Sequence, residues 1–130
     1  MDLNLNVLAL ASGLMGHAST RQRVIAENVA HADTPGYRAR DLASFSTTLD
    51  QTPGFSARLT RPGHIAFGAD PRGFDPQPET APGAVSPNGN TVSLEDQMTR
   101  AAEARQSHQM ALGVYSKSMD ILRSAIGRGR

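Results

Sequence analysis

The chain has 130 residues, with 13 basic and 12 acidic side chains for a formal charge of +1, no cysteine, no tryptophan, 2 tyrosines and 4 phenylalanines. Both signs of charge are mixed along it, which excludes the electrostatic footprint of a nucleic-acid or anionic-lipid binder, and without cysteine there is neither a disulfide framework nor a thiolate metal site. An apolar fraction of 38% with so few aromatics is thin for a self-contained core, so part of the apolar surface is expected to find its partner on another chain.

The first arm carries an acid and two amides, Asp2, Asn4 and Asn6, where a cleavable secretory leader would carry Lys or Arg. Its apolar stretch from Val7 to Met15 falls far short of the about 20 residues needed to span a bilayer. No proline occurs before Pro35, and the spacing predicts a helix over 1–33. Leu8, Ala11, Met15, Ala18, Gln22, Ile25, Val29 and Ala32 alternate in steps of three and four, with Leu3, Val7, Leu10 and Leu14 on an adjoining face. One partner helix covers only one of these faces, which leaves the other for contacts with further chains.

The helix is expected to stop at Asp33-Thr34-Pro35-Gly36-Tyr37, where Pro-Gly fits the two central positions of a type II turn and Gly supplies the positive φ. Residues 34–50 then form a linker. Residues 51–91 hold seven of the eight prolines and six of the twelve glycines, which rules out sustained helix and predicts an irregular or short-β insert.

The last arm, 92–130, reads as a second long helix. Leu94, Met98, Ala101, Arg105, His108, Leu112, Tyr115, Met119, Leu122 and Ile126 keep the coiled-coil period, Ser93 stands at the N-cap, Asp96 complements the helix dipole, and Gly127 and Gly129 end the run. The fold class is therefore mainly α: an antiparallel, coiled-coil-like pair of terminal helices joined by a Pro/Gly-rich insert. Pairing residues whose numbers sum to about 130 sets Leu8 by Leu122, Met15 by Tyr115, Ala18 by Leu112 and Gln22 by His108, either as a polar layer that fixes register or as two polar side chains turned to solvent. Burial along such a thin seam barely offsets the entropy of ordering two long helices. The isolated subunit is accordingly expected to be largely unfolded or molten, and to order on joining its neighbours.

The run from Glu27 to Asp41 is the most specific string in the chain. Asn28, Val29, Ala30, Thr34, Pro35, Gly36 and Tyr37 match the N-terminal signature of the flagellar axial protein family of rod and hook subunits, with His31 standing where that family usually has a second Asn. Ala39-Arg40-Asp41, and the helix start from Asn88 to Met98, resemble the proximal-rod branch of the family; Leu59 to Ile65 does so weakly. Such a resemblance implies a structural subunit of the basal-body rod in the periplasm, exported by the flagellar type III apparatus without a cleaved signal. The partners it implies are other copies of the chain, other rod proteins, the FliE adaptor, the MS ring and the export gate. Phe45 and Leu49 are similar to a short export-gate motif of early flagellar substrates, although Phe and Leu four apart also simply pack on any helix.

Other chemistry finds no support in the pattern. His17, His31, His64 and His108 are not clustered with further ligands, and there is no nucleophile elbow, phosphate-binding loop or paired carboxylate. Neither a cofactor, a nucleic acid nor a small-molecule substrate is expected. Candidate assembly residues are Leu3, Val7, Leu10 and Leu14 on the first helix and Leu112, Tyr115, Met119 and Leu122 on the last. A cytosolic helical-hairpin adaptor or export chaperone is the alternative that the same exposed stripes would serve.

Overall fold

The computed structural model describes residues 2–51, 74, 76–79 and 85–127. Within them the chain runs through helix α1 (Asp2–Ala30), strand β1 (Arg40–Asp41), helix α2 (Phe45–Gln51), strand β2 (Gln77–Pro78) and helix α3 (Leu94–Gly127). The two long helices pack against each other along their length, as their periodicity requires. Asn28 near the end of α1 meets Gln97 near the start of α3, which makes the pair antiparallel. The segment Leu59 to Ile65 lies outside the described residues.

The end of α1 and the start of α3 have local causes. Ser93 caps α3: its hydroxyl accepts from the Asp96 N–H at 3.4 Å while its carbonyl accepts from the Gln97 N–H at 2.9 Å. Helix α1 stops at Ala30, and residues 31–33 are a turn rather than the final helical residues that periodicity suggests. The Tyr37 N–H donates to the Thr34 carbonyl at 3.2 Å and Gly36 has φ +72°, the bond and the sign that mark a type II turn.

Between the long helices the described residues form one short ladder and one short helix. Arg40 pairs with Pro78 and Asp41 with Gln77 in a two-stranded antiparallel ladder. Helix α2 lies within the stretch expected to be linker. Its signal is Ser44, whose hydroxyl accepts from the Thr47 N–H at 3.3 Å and lies 2.7 Å from the Thr47 hydroxyl. No described helix is long and apolar enough to cross a membrane.

The seam differs from its expected form in register and in rotation. Asn28–Gln97 and Arg21–Glu103 are pairs whose numbers add to 125 and 124, so α3 is displaced by more than a turn from a sum of 130. Gln22 is exposed and the Gln22–His108 layer does not form; the polar layer lies at Asn28 and Gln97 instead. On α3 the buried row is Gln97, Ala104, Ala111 and Ser118, while Leu94, Met98, Leu112 and Ile126 are exposed. The coiled-coil period is present, but half of the expected seam faces outward, about 100° round the helix. Short side chains explain the choice, since Ala and Ser let the two backbones approach while bulkier aliphatics fit only outside. The buried Ser118 hydroxyl is satisfied within its own helix by the Val114 carbonyl at 2.8 Å.

Candidate assembly interface

At the closed end of the hairpin a polar clasp fixes the geometry. Asn28 is 0% exposed. Its Nδ2 donates to the Arg40 carbonyl at 2.7 Å and to Gln97 Oε1 at 3.0 Å, and its Oδ1 accepts from the Arg40 N–H at 3.1 Å and the Tyr37 hydroxyl at 3.3 Å. All four hydrogen-bonding positions of the amide are used, so one side chain ties α1 to α3 and to the strand between them. Gln97 passes the connection on by donating to Glu79 at 3.0 Å.

Asn90 closes the end of α1 from the other side. Its Nδ2 lies 2.8–2.9 Å from the carbonyls of His31, Ala32 and Thr34 in the turn that follows α1, and its Oδ1 accepts from the Val92 N–H at 2.7 Å. Backbone pairing of Gly36 with Asn88 and of Tyr37 with Thr91 completes the junction. Gly89, at φ +82°, brings its turn against Gly36, where a Cβ would stand 3.5 Å from the Gly36 Cα.

Beside the amides lies an ion-pair cluster. Arg21 grips Asp41 with two bonds of 3.0 and 3.1 Å, and Arg100 reaches Asp41 at 2.9 Å, Glu79 at 2.8 Å and Asp96 at 2.8 Å. Burial by itself would raise the Asp41 pKa, but hydrogen bonds from Arg21 and the Leu42 N–H, with the charges of Arg21 and Arg100, hold it below the ordinary carboxylate value. The Arg21 guanidinium is held more firmly protonated, chiefly by its bond to Asp41. Among the described residues no buried side-chain polar atom lacks a partner.

The strap of residues 39–45 lies across α1 above the clasp. His17, buried under it, places Nε2 2.7 Å from the Ala43 carbonyl and packs its ring edge-on to Phe74 and tilted to Phe45, with centroids 4.8 and 5.6 Å apart. Burial pulls the His17 pKa below 6.5 and the Arg21 charge adds to this, against the smaller raising effects of the Ala43 hydrogen bond and Asp41. Phe45 and Leu49 are both half-buried, and Phe45 has in His17 a packing partner.

The motif residues come together at the clasp. Asn28 is its centre, Thr34, Pro35, Gly36 and Tyr37 form the turn, and Val29 and Ala30 line an open groove of about 560 Å³ with Ile25, Ala101 and Arg105. His31, in place of an amide, stacks on Tyr37 with ring centroids 4.6 Å apart and sets Nδ1 3.2 Å from the Thr34 hydroxyl. Sequence reasoning missed Asn90, Gln97 and Arg100. Asn90 and Gln97 fall in the stretch that resembled the proximal rod, and that resemblance was the available signal.

The assembly residues sit elsewhere, toward the open end. Val7, Leu10 and Leu112 are exposed, and Leu14, Tyr115, Met119 and Leu122 are half-buried; the Leu3 side chain lies outside the described residues. Exposed Met110, Val114, Ile121 and Ile126 join them, so α3 shows apolar side chains on both sides of its seam. Monomers rarely leave so much aliphatic surface open, and such faces mark protein contacts. Among the described residues no group of three potential metal ligands occurs.

No family model matches the chain. Individual relatives do. The flagellar basal body rod protein FlgB of Salmonella typhimurium is 33% identical over 107 residues, covering 76% of this chain and 77% of its own. FlgB of Escherichia coli is 34% identical over 74% of this chain and 75% of its own, and FlgB of Bacillus subtilis is 28% identical over 89% of each.

Proposed function

This chain belongs to the FlgB family of flagellar basal body rod proteins, and on that premise we propose that it is a structural subunit of the proximal rod that polymerises through its terminal helices. The observation that carries the reading is the 33% identity to a rod protein across 76% of the chain. The exposed aliphatic rows of α3 support the route of polymerisation, because a rod is built by repeated contacts between faces that one subunit cannot satisfy alone. The protein acts by assembly, with the arms 1–33 and 92–130 as its polymerising unit and segments 34–50 and 51–91 as attachments.

Its proposed surroundings are further copies of itself, the other rod proteins, the FliE adaptor, the MS ring and the export gate. It reaches the periplasmic rod through the flagellar type III apparatus without cleavage. Phe45 and Leu49 are the candidate gate signal, competing with a purely structural role for Phe45 on His17. Replacing Phe45 with Ala separates the two: lower secretion with a normal melting profile supports gate recognition, and normal secretion with a destabilised subunit supports packing.

Deleting the gene tests the whole reading. Deletion cells are expected to grow normally yet lack flagella and motility, and to recover both when the gene is supplied from a plasmid. Deletion cells that swim with no second copy of the gene would overturn it.

A further inference from the structure

Of the asparagines in the chain, Asn88 alone is followed by glycine; Asn4, Asn6, Asn28 and Asn90 precede Leu5, Val7, Val29 and Thr91. The backbone nitrogen after an asparagine is placed to attack that asparagine's side-chain carbon Cγ, and a side chain on the following residue stands in its way. Gly89 has no Cβ to obstruct the approach and leaves the backbone free to turn into it. Asn88 is also exposed, so water reaches its amide, whereas Asn28 and Asn90 are buried.

The folded junction holds the parts of that reaction in place. The Gly89 N–H donates to the Ser86 carbonyl at 2.8 Å, closing a turn over Pro87 and Asn88, and the Ser86 N–H donates to the Asn90 carbonyl at 2.9 Å. Asn88 Oδ1 accepts from the Asn90 N–H at 3.1 Å, and the Asn88 carbonyl accepts from the Gly36 N–H at 3.0 Å. The attacking nitrogen is thus pinned by its own proton, and the group it would attack is pinned at its oxygen. Both must be released before nitrogen and Cγ can meet, which takes a local opening of the turn. Since Asn88 is bonded to Gly36 and lies two residues from the Asn90 cap, that opening loosens the clasp.

We propose that Asn88 is a site of spontaneous modification that the closed clasp protects and the open chain exposes, so that subunits left open are altered there and lose the ability to close. In the open chain hydroxide takes the Gly89 amide proton, and the nitrogen forms a bond to Asn88 Cγ. The Cγ–Nδ2 bond breaks, and the side-chain nitrogen leaves as ammonia after taking a proton from water, so no base is consumed and a cyclic succinimide remains. One water opens the ring at either carbonyl; the net change is asparagine plus water to aspartate or isoaspartate plus ammonia. Aspartate keeps the length of the chain and an oxygen for the Asn90 N–H. Isoaspartate runs the main chain through Cβ and Cγ, one methylene longer, and turns the carbonyl that meets Gly36 into a free carboxylate. The Gly89 turn, packed against Gly36, has no place for that added atom.

Peptide mass mapping of the full-length subunit, held at mildly alkaline pH with and without denaturant, tests this at every asparagine at once. In denaturant Asn88 is expected to convert ahead of the other asparagines, with isoaspartate identified by enzymatic methylation. Without denaturant its conversion should slow at least about tenfold, because the rate then follows the population of the opened turn. Asn28→Ala, which breaks the clasp, should bring the rate back toward that in denaturant. Equal rates with and without denaturant, or a rate unchanged by Asn28→Ala, would overturn the protection. Chains aged in denaturant and returned to buffer should melt below fresh ones by circular dichroism, while Asn88→Asp, which has the new charge on an unlengthened chain, melts like the parent. Aged chains that melt like fresh ones overturn the loss of closure.

Discussion

At the closed end of the hairpin Asn28, Asn90 and Gln97 are almost wholly removed from water with their amides hydrogen-bonded, whereas toward the open end Ile121 and Ile126 keep 57% and 79% of their surface exposed. A small hydrophobic core usually stands where the first set stands, and solvent-facing polar residues where the second stands. The inversion follows from what each end has to do. Directional bonds hold the helices at one height and angle, which a seam that α3 lines with little more than Ala and Ser cannot do. Aliphatic surface, which is non-directional, is left for neighbours.

The largest effect that would break this contrast comes from the centre of the clasp. Asn28→Ala removes four hydrogen bonds and leaves the Arg40 N–H and carbonyl without their partner, along with Gln97 Oε1. A loss of about 3 kcal/mol or more is expected, read as a lower midpoint in denaturant followed by circular dichroism. A change under about 1 kcal/mol would show that the clasp decorates a hairpin held by other means.

Next come the two glycines of the junction. Gly36→Ala and Gly89→Ala each force a Cβ into positive φ, +72° and +82°, for about 1–2 kcal/mol apiece. Gly113→Ala, in mid-helix with open space around it, should instead stabilise by up to about 1 kcal/mol. Thermal melts of the three variants are expected to rank in that order.

Acid should weaken the strap in two stages. His17 has a folded pKa below 6.5, so the unfolded chain binds its proton first and stability falls as pH drops from 6.5 through the depressed folded value. Asp41 has a folded pKa below 3.8, so its contribution is present above that value and lost as pH falls through the lower folded one. His17→Gln, which keeps a donor for the Ala43 carbonyl, should flatten the first stage and leave the second. Denaturation midpoints between pH 7 and 3 give both, and a first stage that survives His17→Gln would assign it to another group.

The smallest effect on the monomer is expected from the open face. Leu112→Ser should change stability by no more than about 0.5 kcal/mol while abolishing motility. Comparable losses of stability at Leu112 and Asn28 would erase the distinction between the two ends.

How much of this is legible in sequence varies with range. The two helices, the Ser93 cap and the turn at Pro35-Gly36 are written in patterns only a few residues long, and each stands where those patterns put it. The register is not. It is set by Asn28 and Gln97, separated by 69 positions, and periodicity is blind to such a pairing. The coiled-coil period also put Met98, Leu112 and Ile126 in the seam, whereas the seam selects Ala104 and Ala111 because they are small. The residues misassigned to the inside are those that the assembly reading needs outside.

Hydrogen exchange on dilute, unassembled subunit tests the central claim most directly, because it reads both ends of the hairpin in one experiment. Protection is expected to be greatest around Val24 to Asn28 and Gln97 to Ala104, and to fade to almost none in 2–10 and 118–127. Uniformly slow exchange from Leu8 through Val29 and on to the end of α3 would contradict the account, since it would mean a hairpin that is complete without its neighbours.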